Sequence, residues 1–176
     1  MNSQSEEDYL KALYHLEMDF NAVSTNSIAD YLDMKPSSVT DMLKKLAEKK
    51  FINYQKYKGT SLSKKGKLIA LSIIRKHRLW ETFLVEKLGF GWDQVHTIAE
   101  QLEHIKSEEL IENLDNFLGN PKYDPHGDPI PNKDGDIEKM NQKILVELKA
   151  SQKGIITGVK KGTASLLNYL DKEKVK

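Results

Sequence analysis

The fold of this chain is decided by residues 24–50, which read STNSIADYLDMKPSSVTDMLKKLAEKK. Apolar residues recur at helical spacing on both sides of residues 33–35, and Ser24 or Thr25 can cap the first segment. Because Pro36 is tolerated only at the start of a helix, the segment after this turn must begin a new one. Two short helices joined by about three residues predict a helix-turn-helix, whose second helix can enter the DNA major groove.

The segments around this motif extend it to a winged helix followed by longer helices. Residues 51–55 alternate loosely, as a strand does, and Lys58-Gly59 supplies a turn before a second short strand. In chain order the predicted elements are a helix over 6–19 capped by Ser5, the two helices of the motif, strands over 51–55 and 60–62, a helix from Ser63 to about Gly89, and a helix from Gln94 to about Phe117 capped by Asp93.

The composition of the chain changes after the last of these helices. Residues 119–135 are rich in Pro and Gly and indicate a loop. Residues 144–148 and 154–159 are predicted as short strands, and 164–170 as one or two helical turns. The predicted fold class is mainly α, with a winged helix-turn-helix domain over 1–70, a helical metal-binding and dimerisation domain over 71–140, and a short β-containing segment over 141–176.

The composition is that of an ordered protein, with 39% hydrophobic and 30% charged residues in a chain of 176. Cys is absent, which excludes disulfides, thiolate zinc sites and thiol nucleophiles, so any metal must bind to His and carboxylates. The N-terminus shows no secretory signal, and no window reaches the roughly 18 apolar residues of a membrane span. We therefore expect a cytoplasmic protein without a membrane partner.

The net charge of +1 hides a strong segregation of charge along the chain. Residues 35–78 carry 13 Lys and Arg against 2 Asp and Glu, whereas residues 79–139 carry 5 against 14. A polyanion would be drawn to the basic segment, although a solvated lysine-rich helix face would have the same composition. The residues predicted to contact DNA lie at the start of the second motif helix, along that helix and in the wing: Lys35, Pro36, Ser37, Ser38, Thr40, Lys44, Lys45, Lys56 and Lys58.

A second group of polar residues lies on the helix predicted after residue 94. At about 100° per residue, His96, Glu100, Glu103 and His104 fall within roughly a quarter-turn of one another, away from the apolar stripe. Carboxylates and imidazoles at this spacing can converge on a divalent ion. Exposed acidic helices show the same arrangement, so the spacing leaves both interpretations open.

Three further positions have two interpretations each. His77 and Glu81 are one helical turn apart, so they form either a hydrogen bond on the surface or a pair of metal ligands. Asp8 is either a ligand or the partner of Ser5 in a capping box. His126 lies in the Pro-rich loop, where Asp124 could join it at a metal.

The order of motifs along residues 5–170 resembles the diphtheria-toxin-repressor family of metal-dependent bacterial regulators, and its manganese-responsive branch in particular. The resemblance is specific because many motifs occur in the same order, although none is unusual alone. The matching stretches are Glu7-Asp8-Tyr9-Leu10, Pro36-Ser37-Ser38-Val39-Thr40 with Lys44 and Leu46, Leu62-Ser63 with Lys65-Gly66-Lys67, Arg75-Lys76-His77-Arg78-Leu79 with Glu81, Val95-His96, Glu100 with Glu103-His104, and Pro125-His126-Gly127-Asp128-Pro129-Ile130-Pro131.

This resemblance implies a winged helix-turn-helix, a helical dimerisation domain with two metal sites and, in many members, a C-terminal SH3-like domain. The segment over 141–176 is shorter than such a domain and would be a part of it. By motif position, the primary metal site would use Asp8, Glu100, Glu103 and His104. The second site would draw on His77, Glu81 and His96, with Asp124 and His126 as further contributors.

Two departures from the family's patterns concern the metal. Asp8 and Glu100 stand where soft-ligand, iron-responsive members have Met and Cys, which favours Mn²⁺ and leaves Fe²⁺ as the alternative. Lys11 stands where the best-known manganese regulator has a Glu, so that protein's paired-metal arrangement does not transfer directly.

The sequence thus predicts a homodimeric, metal-activated repressor of metal-uptake genes that binds an operator in double-stranded DNA and has no catalytic activity. One alternative is a helical metalloenzyme built on carboxylates and His. The chain lacks the two Glu-x-x-His pairs of di-iron bundles and the His-Glu-x-x-His motif of proteases, which weighs against it. The other alternative is a winged-helix regulator that senses a small molecule.

Overall fold

The computed structural model describes residues 2–55, 58–138, 144–153, 166, 169–170 and 172–173. This part of the chain is mainly helical, as predicted, and none of its helices is long and apolar enough to cross a membrane. Its elements are α1 Gln4–Glu17, α2 Thr25–Leu32, α3 Pro36–Glu48, β1 Ile52–Gln55, β2 Gly59–Leu62, α4 Lys64–Leu88, α5 Val95–Leu102, α6 Glu108–Phe117 and a 3-10 turn, Leu145–Glu147.

The chain divides into two compact units. The first consists of Met1–Ile74 with Lys133–Gly135, and the second of Arg75–Asn132 with Asp136–Lys176. The first unit contains α1, α2, α3 and the two strands, whereas α5 and α6 belong to the second.

Helices α2 and α3 form the predicted helix-turn-helix. The Ser24 hydroxyl accepts a hydrogen bond from the Ser27 amide and so caps α2. Asp33 ends α2 in the left-handed region, with φ 51°, which Asp tolerates better than most residues. Pro36 is the first residue of α3. An amide at this position has no partner within the helix, so the missing amide hydrogen of Pro costs no hydrogen bond. Asp33 and Pro36 therefore determine the turn between the helices, and the backbone preferences of both residue types can be read from the sequence.

The first unit has one apolar core. Leu10 and Leu13 of α1, Ile28 of α2, and Leu43 and Leu46 of α3 are all fully buried in it. Val39 of α3 also belongs to this core, whereas Pro36, Ser37 and Ser38 before it are exposed.

The two strands form the predicted wing. They pair antiparallel, with Ile52 opposite Leu62. Sequence reasoning missed a third participant, Val23, which precedes α2 and exchanges two backbone hydrogen bonds of 2.9 Å with Thr60 of β2. A single bridging residue has no periodicity and so leaves no signal in the sequence. The bridge attaches the wing to the connection between α1 and α2.

Helix α1 begins earlier than predicted. Its N-cap is Ser3, whose hydroxyl accepts from the Glu6 amide at 3.3 Å while the Ser3 amide donates to Glu6 Oε2 at 3.1 Å. The predicted capping box of Ser5 and Asp8 is therefore wrong, since both residues lie inside the helix. Three residues after Ser3 stands Glu6, the residue type that such a box requires, whereas the residue three positions after Ser5 is Asp8. Capping does not account for Asp8.

The helix predicted from Gln94 to Phe117 is in fact two helices. α5 ends at Leu102, and α6 begins after Ser107, whose hydroxyl accepts a hydrogen bond from the Leu110 amide. The sequence does carry a signal for this break: a capping Ser followed by two acidic residues, which suit the positive end of a helix dipole.

The predicted start of α5 is also wrong in its cap. Gln94, not Asp93, occupies the N-cap position, and its side chain makes no capping hydrogen bond. Apolar packing of Leu79, Ile111 and Leu114 stabilises the second unit. An ion pair of 2.7 Å between Arg75 of α4 and Asp115 of α6 adds to it.

The strand predicted over 144–148 is wrong. Leu145–Glu147 form a 3-10 turn, in which the Glu147 amide donates to the Ile144 carbonyl at 2.8 Å. Val146 is exposed in this turn. The strand predicted over 154–159, and most of the helical turn predicted over 164–170, lie outside the described residues.

Gly66, in the first turn of α4, permits a close approach to the backbone of Phe51. A Cβ added at Gly66 would lie 2.0 Å from the Phe51 carbonyl oxygen. We therefore expect Gly66→Ala to lower the free energy of unfolding by about 1–3 kcal/mol through overpacking. Urea denaturation measures this, and the exposed Lys64→Ala is the control, with a change within about 0.5 kcal/mol. Equal stability of Gly66→Ala and the wild type would contradict the packing.

Candidate functional site

Three ligand-bearing side chains converge in the second unit. His77 and Glu81 lie one turn apart on α4, and His96 reaches them from α5. His77 Nε2 is 3.0 Å from Glu81 Oε1 and 3.1 Å from His96 Nδ1, and His96 Nδ1 is 3.3 Å from Glu81 Oε1. Two atoms bound to one ion at about 2.1 Å, at the angles of tetrahedral or octahedral coordination, are about 3.0–3.4 Å apart. The three atoms therefore fit one face of a metal coordination sphere.

Glu103 orients the ring of His77. Its Oε2 lies 2.6 Å from His77 Nδ1, and both side chains are buried. When the ring donates its Nδ1 hydrogen to this carboxylate, Nε2 keeps a lone pair that faces Glu81 and His96. A carboxylate behind a ligand His is the usual device for fixing the tautomer and the direction of the ring.

A second group of three shares Glu81. Asp124 and His126, from the loop after α6, bring ligand atoms within 4.8 Å of one another and of Glu81. His126 Nε2 lies 2.9 Å from the Trp92 carbonyl oxygen, so it is the donor there, and Nδ1 faces Glu81 Oε2 at 3.7 Å. Asp124 Oδ1 accepts from the amides of His126 and Asp128, which shapes the loop.

The electrostatics of the cluster depend on Glu81, which is 3% exposed. Burial raises the pKa of this carboxyl, but the facing imidazoles of His126, His77 and His96 outweigh it, so the pKa lies well below its usual range. The facing carboxylate of Glu81 raises the pKa of His126 to about 9, against the effect of burial. Burial raises the pKa of Asp124 to about 6. The centre thus contains an ionised carboxylate held by three imidazoles.

The four residues expected on one helix face are distributed differently, because that helix breaks after Leu102. His96 remains on α5 with Glu100, whose Oε1 lies 3.4 Å from His96 Nε2. Glu103 is the buried C-cap residue of α5 and bonds to His77, and His104 follows it with Nε2 3.9 Å from Glu103 Oε1. Asp8 belongs to the first unit, where it is half-buried on α1.

The residues predicted to contact DNA surround the start of α3 in the first unit. Lys35 is the N-cap residue of α3, and it is exposed together with Pro36, Ser37 and Ser38. The hydroxyl of Thr40 donates to the Pro36 carbonyl at 2.9 Å, so its hydrogen is already engaged.

The lysines of this set differ in their surroundings. Lys44 is exposed and pairs with the exposed Asp41 at 3.2 Å, and Lys58 is exposed at the wing. Lys45 pairs instead with the buried Glu6, at 3.1 Å. Lys56 lies outside the described residues.

Sequence reasoning missed two contacts in the second unit. The Trp92 carbonyl holds His126, and the Trp92 ring stacks on the His126 ring with 6.1 Å between their centroids. Glu103 was predicted as a ligand, but its contact with His77 was not. The carbonyl leaves no trace in a sequence, because every residue has one.

Two family models match the chain. The one described as "Iron dependent repressor, N-terminal DNA binding domain" matches residues 1–60, and "Iron dependent repressor, metal binding and dimerisation domain" matches residues 63–132. These ranges cover the helix-turn-helix, most of the wing and the His and carboxylate cluster.

Relatives and solved structures agree with the models. The iron-dependent repressor IdeR of Mycobacterium tuberculosis is 33% identical over 125 residues, which is 71% of this chain but 54% of that protein. This chain thus spans about half the length of that relative. The regulator MntR of Oceanobacillus iheyensis is 34% identical over 124 residues, which is 70% of this chain and 84% of MntR.

Among solved structures, a manganese-dependent transcriptional repressor in complex with manganese is 33% identical, with a TM-score of 0.84 over 97% of this chain and 79% of that one. Matches to both domain models, to MntR and to this solved structure confirm the resemblance to the diphtheria-toxin-repressor group. The chain therefore belongs to the iron-dependent repressor family.

Proposed function

We propose that this chain is a repressor of metal-uptake genes that acts in the cytoplasm and binds operator DNA as a homodimer when a divalent ion is bound. The observation that carries the proposal is the convergence of His77, Glu81 and His96, at 3.0–3.3 Å between ligand atoms, in a chain whose other unit contains a helix-turn-helix. Support comes from the two matching domain descriptions, which name DNA binding, metal binding and dimerisation. The protein would act by binding, without catalysis.

The ion that we propose is Mn²⁺, with Fe²⁺ as the alternative. Both proposed ligand sets contain only carboxylates and imidazoles, which suit Mn²⁺ better than they suit softer ions. The solved neighbour described above carries manganese, whereas the mycobacterial relative is named for iron. When bound, the ion would supply the positive charge that offsets the buried carboxylates of the centre.

The proposed primary set is Asp8, Glu100, Glu103 and His104, and the second comprises His77, Glu81, His96, Asp124 and His126. Because Asp8 belongs to the DNA-binding domain, an ion held by the primary set would couple metal occupancy to DNA affinity. In the second set, Glu81 turns one oxygen to His77 and His96 and the other to His126.

Homodimerisation is supported by apolar surface on the second unit. Leu88 of α4 and Leu110 and Phe117 of α6 are 57%, 41% and 65% exposed. We infer that these side chains contribute to the contact with a second copy of the chain. A helix-turn-helix that reads a two-fold operator also needs two copies.

The proposal is tested by DNA affinity at fixed salt with Mn²⁺, Fe²⁺, Zn²⁺ or a chelator. We expect Mn²⁺ to tighten binding to an operator by a factor of about 5–150. Asp8→Asn should lose this gain and keep the metal-free affinity, whereas Lys11→Ala on the same helix should keep both. Identical affinity with Mn²⁺ and with chelator would rule out the proposed function.

DNA contacts should divide into two roles. Ser37→Ala and Ser38→Ala should change the ranking of operator variants, because both lie in the exposed first turn of α3. Lys58→Gln should weaken binding to every sequence and reduce the slope of log affinity against log salt by about 1, as expected for one lost phosphate contact. An equal loss on every sequence for all three variants would contradict this division.

The sharing of Glu81 has a measurable consequence. Glu81→Gln should remove more of the Mn²⁺-induced rise in Tm than His96→Ala or His126→Ala does alone, because Glu81 faces both groups of ligands. Thermal unfolding with Mn²⁺ and with chelator measures this rise, and Glu108→Gln, an exposed acid on α6, is the control. If His126→Ala alone removed as much of the Mn²⁺-induced rise in Tm as Glu81→Gln does, the two groups of ligands would not be separate.

A further inference from the structure

One buried carboxylate in the first unit is not a member of the proposed metal sets. Glu6 is 1% exposed and lies in the first turn of α1. Its two oxygens accept hydrogen bonds from Lys49 Nζ at 2.7 and 2.9 Å, and Lys45 Nζ lies 3.1 Å from Oε1. Glu6 is a buried anion whose cationic partners come from one other helix.

Both partners lie at one end of α3. Lys45 and Lys49 are one turn apart, in the last turn and at the C-cap, and so share a face of the helix. The exposed first turn, with Ser37 and Ser38, is at the opposite end. Cations are favoured at a helix C-terminus, and the shared carboxylate fixes this end of α3 to the beginning of α1.

Lys44 shows what a lysine of α3 does without such an anchor. Its side chain is 61% exposed and pairs with Asp41, which is 78% exposed. Exposed pairs of this kind contribute little and leave the ammonium group available to other anions. Glu6, the partner of Lys49, is 1% exposed. Breaking that pair therefore leaves a buried carboxylate with one cation fewer.

We propose that Glu6 is a positioning residue that fixes the recognition helix α3 to α1, and that Lys45 and Lys49 serve this anchor instead of contacting DNA phosphates. This inference rests on the proposed function, in which Asp8, two residues further along α1, is a metal ligand. Any shift of α1 on metal binding would then reach α3 through Glu6 and the two lysines. Lys45 would thereby leave the set of DNA contacts that the sequence predicted.

The two roles of a lysine differ in the effect of salt. A lysine that neutralises a phosphate releases counterions, so its loss reduces the salt slope of DNA binding by about 1. A lysine held by Glu6 releases none, and its loss should change the response to metal instead. The experiment therefore measures operator affinity over a range of salt concentrations, with Mn²⁺ and with chelator, for Lys44→Gln, Lys49→Gln, Lys49→Arg and Glu6→Gln.

We expect Lys44→Gln to reduce the salt slope by about 1 and to keep the ratio of affinities with and without Mn²⁺. Lys49→Gln should keep the slope and lower that ratio about fivefold or more, and Lys49→Arg should restore it, because Arg retains the charge. Glu6→Gln keeps the capping bond, and it should lower the ratio while raising the slope as its lysines are released.

Two results would overturn the inference. If Lys49→Gln reduces the slope as Lys44→Gln does, Lys49 is a phosphate contact. If Lys49→Gln changes neither the slope nor the ratio, the pair is only structural. Lys49 is 38% exposed, so this variant is expected to fold even if Glu6→Gln does not. A wild-type protein without any Mn²⁺ effect would instead refute the proposed function, on which this inference rests.

Discussion

A carboxylate that is almost inaccessible to water organises the second unit. Glu81 is 3% exposed, and its oxygens face imidazoles supplied by α4, by α5 and by the loop after α6. Burying a carboxylate is costly unless it is paired, so the segments that carry His77, His96 and His126 must converge for this unit to be stable. The groups that compensate Glu81 are the groups that can bind a cation. Structural stability and metal affinity in this unit therefore depend on the same side chains.

Local signals explain why most of the fold was predictable and why parts of it were not. Ser24, Asp33 and Pro36 define the helix-turn-helix because each has a backbone preference that acts within a few residues. The break between α5 and α6 was missed because apolar spacing continues through it, and the capping Ser107 was outweighed by that periodicity. The run over 144–148 is rich in strand-forming residues, but composition alone does not supply the partner that a strand needs.

For the candidate site, the residue types were predictable and their arrangement was only partly so. His77 and Glu81 share a helix face, and the structure brings both to His96. That Glu103 turns to His77, and that the Trp92 carbonyl holds His126, depends on how separate segments pack. The partners of Glu6 follow it by about forty residues and lie on another helix, so no local pattern could identify them.

The bridge between Val23 and Thr60 has a consequence for how the first unit folds. The two residues are about 37 positions apart in sequence, and the loop that they close contains α2, α3 and β1. Contacts between distant residues are slow to form, because the entropy of closing the loop is lost first. A fragment that ends before β2 would leave the amide and the carbonyl of Val23 without their backbone partners. We therefore expect the helix-turn-helix to be less stable without β2 than it is with the wing in place.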